Sequence, residues 1–380
     1  MTNQLFFDYN STTPVDKRVL DSMLPYFSNH FGNAASSTHL FGKSAHEAVR
    51  VSRKKIAEFL SCEPEEIVFT SGSTESINLM IKGIFENYAS KGKHIITAAT
   101  EHKAVLDVCN YLQKKHNADI TFLDVDMEGN IDIDQLKSSI RADTILVTLM
   151  HANNETGVLH PVEEISGICR ENSVIFFSDT TQSAGKIRIN INENGFDSLC
   201  VSAHKMYGPK GVGALFMRRK NPRVVPAPLM HGGGHEKGFR SGTLNIPGIV
   251  GLATACEVAL RDMWEDNTRI SLLRGKFEHQ LLDFPGIRII GGTRNRLYNT
   301  SNICFEGKNP SDLLRHLHRF AVAFGSACNS ASASPSHVLT AMGLSEKEAS
   351  SCIRFSFGKF TTSDEVEKLI DAIKLIYSNE

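Results

Sequence analysis

The sequence predicts an α/β protein: a large domain on a mostly parallel sheet, joined to a smaller α+β unit. Three observations predict it. From about residue 66 to residue 219, short β-branched or apolar runs alternate with helical stretches. Those runs are apolar along their length, as strands buried on both faces are. After the glycine-rich stretch "PLMHGGGHEKGFRSGTLNIPG", which reads as a connector or site loop, the rhythm changes to long helices and a few strand-like runs.

In chain order the strands are "EIVFT", "HIITAAT", "DITFLDV", "TILVTLMH", "VIFFSD" and "SLCVSAH". Between several of them lie helical patterns: "STESINLMIKGIFENYA", "HKAVLDVCNYLQKKH", "DIDQLKSSI" and "PVEEISGICREN". The smaller unit has the strand candidates "GIRIIGG", "TSNICFEG" and "SCIRFSFG". In "PSHVLTAM" Ser334 can cap a helix, Pro335 suits its first position and Gly343 ends it. A last helix begins with the capping box Thr362-x-x-Glu365 and places Val366, Leu369, Ile370, Ile373 and Ile376 on one face.

The chain has 380 residues, enough for about two domains. It is 41% hydrophobic and 22% charged, with a net charge of −1, so no surface is devoted overall to nucleic acid or anionic lipid. The first residues carry no basic segment followed by an apolar one, and "NIPGIVGLATACEVAL" is too short and glycine-rich to span a membrane. A cytoplasmic protein is expected. Eight cysteines lie at 62, 109, 169, 200, 256, 304, 328 and 352, with no C-x-x-C pair among them. Zinc and redox dithiols are therefore disfavoured, no metal is expected, and most of these thiols should be small core residues.

Polar residues of reactive type cluster just past the ends of the strand runs: Ser71 to Thr74, His102, Asn154, Asp179 with Gln182, and His204 with Lys205. In a doubly wound sheet those ends open onto one crevice. Ser73 and Thr74 fall in the first turn of a helix after a glycine turn, where they either cap the helix or join its N–H groups in holding a phosphate. Asp179 is either a cap or a carboxylate facing a cationic ligand group, such as a pyridinium nitrogen. Lys205 follows a buried strand and precedes Gly208 and Pro209, a context suited to a Schiff-base amine rather than a solvated charge. "HGGGH" reads better as a flexible loop than as a metal site. Cys328, in "FGSACNSASASPSHVL", lies upstream of a helix in a run of small residues. A free thiol there is a few per cent thiolate at pH 7.

Together these segments resemble the NifS/IscS-type cysteine desulfurases, pyridoxal-phosphate enzymes of aminotransferase fold (fold type I). The resemblance runs from "FFDYNSTTP" to "IRFSFGKFTT", through "TSGSTES", "TEHKAVLD", "HANNETGV", "DTTQSAGK", "SAHKMYGPKG", "HGGGHEKGFRSGT" and "GSACNSASASPSHVLTAMG". It implies a large cofactor-binding domain over 15–255 and a small domain formed by 1–14 and 256–380 that carries the Cys328 loop. It implies that Lys205 binds pyridoxal 5'-phosphate covalently, Asp179 pairs with the pyridine nitrogen, Gln182 contacts the ring hydroxyl, and His102 stacks on the ring and assists proton transfer. Ser73, Thr74, Ser202 and His204 would hold the phosphate, with Thr243 reaching in from the second subunit of a homodimer. Asn154 and Arg354 would hold the substrate carboxylate. The alternation Ile353, Phe355, Phe357 independently leaves Arg354 on the opposite face of its strand. Cys328 would take sulfur from L-cysteine as a persulfide, release L-alanine, and pass the sulfur to an acceptor protein.

Phe324, Asn329 and Ala34 depart from the family's usual residues, and the chain stops soon after its last helix. Acceptors in iron–sulfur assembly, tRNA thiolation or DNA phosphorothioation are all consistent with this. Another pyridoxal enzyme of the same fold (an aminotransferase or kynureninase-like hydrolase) would need the lysine and aspartate but not the loop cysteine. A non-catalytic protein of this fold would not need to retain all of Lys205, Asp179, His102 and Cys328.

Overall fold

The computed structural model describes residues 4–292, 295–324 and 335–378. Its strands are, in chain order, β1 (Leu5–Phe6), β2 (Ile67–Thr70), β3 (His94–Ala98), β4 (Asp119–Leu123), β5 (Thr144–Thr148), β6 (Ile175–Asp179), β7 (Ser198–Ser202), β8 (Gly213–Met217), β9 (Ile287–Ile290), β10 (Thr300–Phe305), β11 (Phe320–Ala321), β12 (Ala323–Phe324) and β13 (Cys352–Ser356). All six strand runs read between residues 66 and 204 are strands.

Seven strands form one sheet in the order β2-β8-β7-β6-β5-β3-β4. Only β8 runs against its neighbours, β2 and β7. Successive residues serve opposite faces: Ile175 and Phe177 join one buried cluster, while Phe176, between them, joins the other. Helices Ser73–Asn87 and Lys103–His116 cover the first face through Leu79, Met80, Ile84, Val105, Val108 and Leu112. Helices Leu40–Leu60 and Val162–Glu171 cover the other through Val49, Ile56, Ile165 and Ile168. Each fully buried aliphatic or aromatic side chain contributes about 1.5–3 kcal/mol to holding these three layers together.

The helix Ile246–Leu281 carries the chain out of this unit. Ile249 and Leu252 near its start pack in the large core, and Phe277 and Leu281 near its end pack in another. That second core lies under an antiparallel sheet, β12-β13-β10-β9. The final helix, Ser363–Ser378, buries Val366, Leu369, Ile370, Ile373 and Ile376 as its periodicity requires. Its capping box is formed: Glu365 N donates to Thr362 Oγ1 and Thr362 N donates to Glu365 Oε2.

One local expectation is corrected. The helix near residue 337 runs from His337 to Ala341 and is capped by Ser336, whose Oγ accepts from Leu339 N at 3.2 Å. Ser334, expected as the cap, lies outside the described residues. The helix starts later because the Ser336 hydroxyl both caps it and donates to Glu155 Oε2 at 2.5 Å.

No helix among the described residues is long and apolar enough to cross a membrane.

Candidate active site

β2, β3, β5, β6 and β7 all run in one direction, so the segments leaving their C-terminal ends meet along one edge of the sheet. A cavity of about 530 Å³ opens there. Ser73, Thr74, His102, Asn154, Asp179, Gln182, Ser202, His204, Lys205 and Arg354 all line it. Thr243 does not. It is exposed and borders a smaller neighbouring cleft that shares Ser71 and Gly211 with the cavity. Cys328 lies outside the described residues.

One end of the cavity is built in a way that suits an anion. The helix Ser73–Asn87 starts at Gly72, which provides no side-chain cap, so its first N–H groups stay available. Gly72 has φ +147°, which disfavours any residue with a Cβ. Ser73 Oγ and Thr181 Oγ1 lie 2.5 Å apart. Glu75, an acid in the first turn, would repel an anion, but Arg240 pairs with it at 2.8 Å. Burial alone would raise its pKa; the Arg240 guanidinium and the Ser71 N–H outweigh this and hold it below the usual value. On the opposite side His204 Nδ1 is 3.1 Å from Thr12 Oγ1. Burial, then repulsion from Lys205, Lys210 and Lys186, lowers the His204 pKa to about 4, leaving it a neutral imidazole.

Lys205 ends the short helical turn after β7, and its Nζ donates to two main-chain carbonyls, Asn10 O at 2.7 Å and Ser11 O at 2.6 Å. Asp179 closes β6 and is 7% exposed. Its Oδ1 accepts from Thr181 N at 2.9 Å, so the carboxylate both shapes its own turn and lines the cavity. His102 caps the helix Lys103–His116 by accepting from Ala104 N at its Nδ1, 3.1 Å away. A neutral His102 therefore carries its proton on Nε2.

On the far wall Arg354 projects from β13. Nη1 donates to Asn154 O at 2.9 Å and Nη2 to Asp8 Oδ1 at 2.7 Å. Its Nε is buried without a partner among the described residues. Ile353, Phe355 and Phe357 on the other side of the strand are fully buried, as the alternation predicts.

Sequence reasoning missed several contributors. Asn10 and Ser11 act through backbone carbonyls, which leave no side-chain signature. Asn10 also bonds Thr300 Oγ1, Asn154 O and Asn299 Nδ2, tying the N-terminal segment to both units. Lys210 and Gly211 line the cavity because β8 is reversed, so its start rather than its end faces the site. The polar run "DYNSTTP" was the only available signal for the first group.

The donor set fits pyridoxal phosphate: a helix start and hydroxyls suit its phosphate, a buried carboxylate its ring nitrogen, and a lysine amine its aldehyde. The class-V aminotransferase pattern matches residues 5–369. A cysteine desulfurase IscS from Anaeromyxobacter sp. (strain Fw109-5) is 49% identical over 369 residues, covering 96% of this chain and 90% of that protein. A solved NifS-like protein superposes with a TM-score of 0.91 at 36% identity, covering 99% of this chain and all of that one. SspA in complex with cysteine superposes with a TM-score of 0.83 at 37% identity, covering 94% of this chain and all of that one. The chain belongs to the class-V aminotransferase family and, within it, to the NifS/IscS-type cysteine desulfurases. It is a pyridoxal-phosphate-dependent enzyme that desulfurates L-cysteine.

Proposed function

We propose that this cavity is the desulfurase centre and that Cys328 receives the sulfur. The observation that carries the reading is convergence. The Lys205 amine, the Asp179 carboxylate, the hydroxyl-lined helix start and Arg354 share one cavity, and both described flanks of residues 325–334 are anchored beside it. Ala323 pairs with Arg354 across β12 and β13. On the other flank His337 Nε2 lies 2.9 Å from Glu101 O, and Ser336 bonds Glu155, the neighbours in sequence of His102 and Asn154.

In this reading Lys205 carries the cofactor, and Asp179 holds a proton on the ring nitrogen. Gln182 contacts the ring hydroxyl and His102 stacks on the ring. Ser73, Thr74, Ser202 and His204 seat the phosphate. Bound there, pyridoxal phosphate supplies the electron sink that makes the substrate's Cα proton removable and its Cβ–S bond labile. Arg354 and Asn154 hold the substrate carboxylate, which fixes Cα toward the Lys205 amine. With the cofactor bound, that amine would take the Cα proton, and His102 would help return protons to the product carbons. The Cys328 thiolate forms an S–S bond to the substrate sulfur as the Cβ–S bond breaks, the electron pair remaining on carbon. Protonation of that carbon, and return of a proton to Cα, give L-alanine and leave a persulfide on Cys328. An acceptor protein then takes the sulfur, in iron–sulfur assembly, tRNA thiolation or DNA phosphorothioation.

Thr243 serves the phosphate seat of a second copy in a homodimer. Its exposure and the exposed aromatic pair Phe31 and Phe41, with ring centroids 5.3 Å apart, support that assembly. The seven described cysteines are free thiols, which suits a reducing cytoplasm.

The test is Cys328→Ser. The variant is expected to keep the cofactor's visible band and its change on adding L-cysteine, while alanine and sulfide production collapse. Mass spectrometry of the parent after brief exposure to L-cysteine is expected to find one extra sulfur on Cys328. Near-normal turnover by the variant, or the sulfur on another cysteine, refutes the assignment.

A further inference from the structure

One buried amine stands outside every role assigned above. Lys186 follows the turn that leaves β6, and only 7% of it is exposed. Gly185, before it, has φ +76°, and a Cβ there would meet Met206 Cβ at 2.9 Å. The turn is thus pressed against the segment carrying Lys205. Among the described residues both hydrogen-bond partners of the Lys186 Nζ belong to Gln182: the backbone O at 2.8 Å and Oε1 at 3.4 Å. Gln182 Nε2 in turn donates to Asn10 O at 2.9 Å, the carbonyl that also accepts from Lys205 at 2.7 Å. Burial, and then the charge of Lys205, lowers the Lys186 pKa to about 7. An amine this deep, without a carboxylate among these partners, contributes no ion pair that would offset its desolvation.

Its partners decide which way round the Gln182 amide sits. A carbonyl can only accept, so Nε2 faces Asn10 O, and this leaves Oε1 facing Lys186, which donates to it. One Nε2–H is used on Asn10. The second is the donor left to Gln182, whose side chain lines the cavity.

We propose that Lys186 is a positioning residue: by holding Gln182 it keeps an amide N–H, rather than a carbonyl, turned toward the cofactor's ring hydroxyl. This rests on the reading of the site given above. A donor on that oxygen draws off negative charge and weakens its hold on the proton of the Lys205 linkage. Lys186 therefore keeps the linkage easier to deprotonate. Other titratable groups surround the two amines. Tyr207, Asp266, Tyr298 and Lys359 border the small cleft that Lys186 and Lys205 share, and Asp179, His204 and Lys210 face Lys205 from the main cavity. All remain in the variants, so changes can be assigned to the Lys186–Gln182 pair.

The test is a pH titration of the bound cofactor's visible absorption in the holoenzyme. Lys186→Met is expected to raise the midpoint by about one unit, the scale of one hydrogen bond to a charged group. Gln182→Leu is expected to raise it similarly, and the double variant no further than Gln182→Leu alone. If Lys186→Met does not fold, Lys186→Leu, which likewise has no donor, is read in the same way. An unmoved midpoint overturns the proposal. So does a second full rise in the double variant, which would mean that Lys186 acts on Lys205 by charge and not through the amide. Borohydride reduction and peptide mapping of each variant separate the two levels. A label on another lysine defeats the site reading, whereas a label on Lys205 with unmoved midpoints defeats only the role of Lys186.

Discussion

Replacing Arg354 with alanine tests two things that the structure binds together. Arg354 is 7% exposed, and its guanidinium, at the cavity wall, is held by Asn154 O and by the Asp8 carboxylate. A charge-assisted hydrogen bond to a substrate carboxylate is worth about 1.5–3 kcal/mol, which corresponds to about a 10- to 150-fold rise in KM. The same change leaves Asp8, whose side chain is 21% exposed, without its cation. Between the limits for surface and buried pairs this costs about 1–3 kcal/mol of stability. Asp8→Asn separates the two effects. In that background Arg354→Ala should destabilise much less, because no carboxylate is stranded, while the KM effect persists. Arg354→Lys should fall between, since an ammonium keeps the charge but loses the planar fork. Initial rates of alanine formation against L-cysteine concentration give KM, the visible band reports the cofactor, and thermal melting gives stability. A KM within about twofold of the parent in Arg354→Ala, with the cofactor retained, would show that the carboxylate is held elsewhere.

Lys205→Ala is expected to abolish covalent cofactor attachment. Borohydride reduction of the parent followed by peptide mapping checks this, and a pyridoxyl label on a different lysine refutes it. His151, His160 and His204 are each held near a pKa of about 4, in every case chiefly by burial, and neither ring nitrogen of His160 has a partner among the described residues. Since an unfolded histidine titrates near 6.5, the unfolded chain binds more protons between about pH 6.5 and 4, and stability should fall as pH falls through that window. The slope reaches at most about 1.4 kcal/mol per pH unit for each histidine. Denaturant midpoints at pH 7, 6 and 5 measure it, and a flat series would contradict the neutral burial of these rings.

The strands and most of the candidate site's lining were legible because both follow from side-chain pattern. Apolar runs such as "VIFFSD" state that both faces of a strand are covered, and the polar residues just past them mark the open end of the sheet. What escaped was information carried by direction and by backbone. Nothing in "GVGALFM" says that β8 runs backwards, so Lys210 and Gly211 gave no sign of reaching the cavity. The carbonyls of Asn10 and Ser11 hold Lys205 although their side chains have no part in that contact. Lys186 was visible in "DTTQSAGK", but its burial depends on Gly185 folding the turn onto Met206, a contact between separate segments. The cap of the helix at His337 moved to Ser336 because Glu155, distant in sequence, engages that hydroxyl.

The N-terminal segment has a consequence for how the enzyme is made. Asn10 and Ser11 line the cavity, yet the partners of this segment come late: Lys205 is 195 residues beyond Asn10, and Arg354 is 346 beyond Asp8. During synthesis the segment therefore emerges long before these partners and waits for its contacts. The main sheet can assemble once Met217 has left the ribosome, but the wall supplied by Arg354 arrives only with β13. Contacts at such separations form late and slowly. Acquisition of the cofactor is thus expected to follow synthesis of β13. A nascent chain arrested before Cys352 should carry folded β2–β8 and bind pyridoxal phosphate weakly, with its first residues still open to proteases.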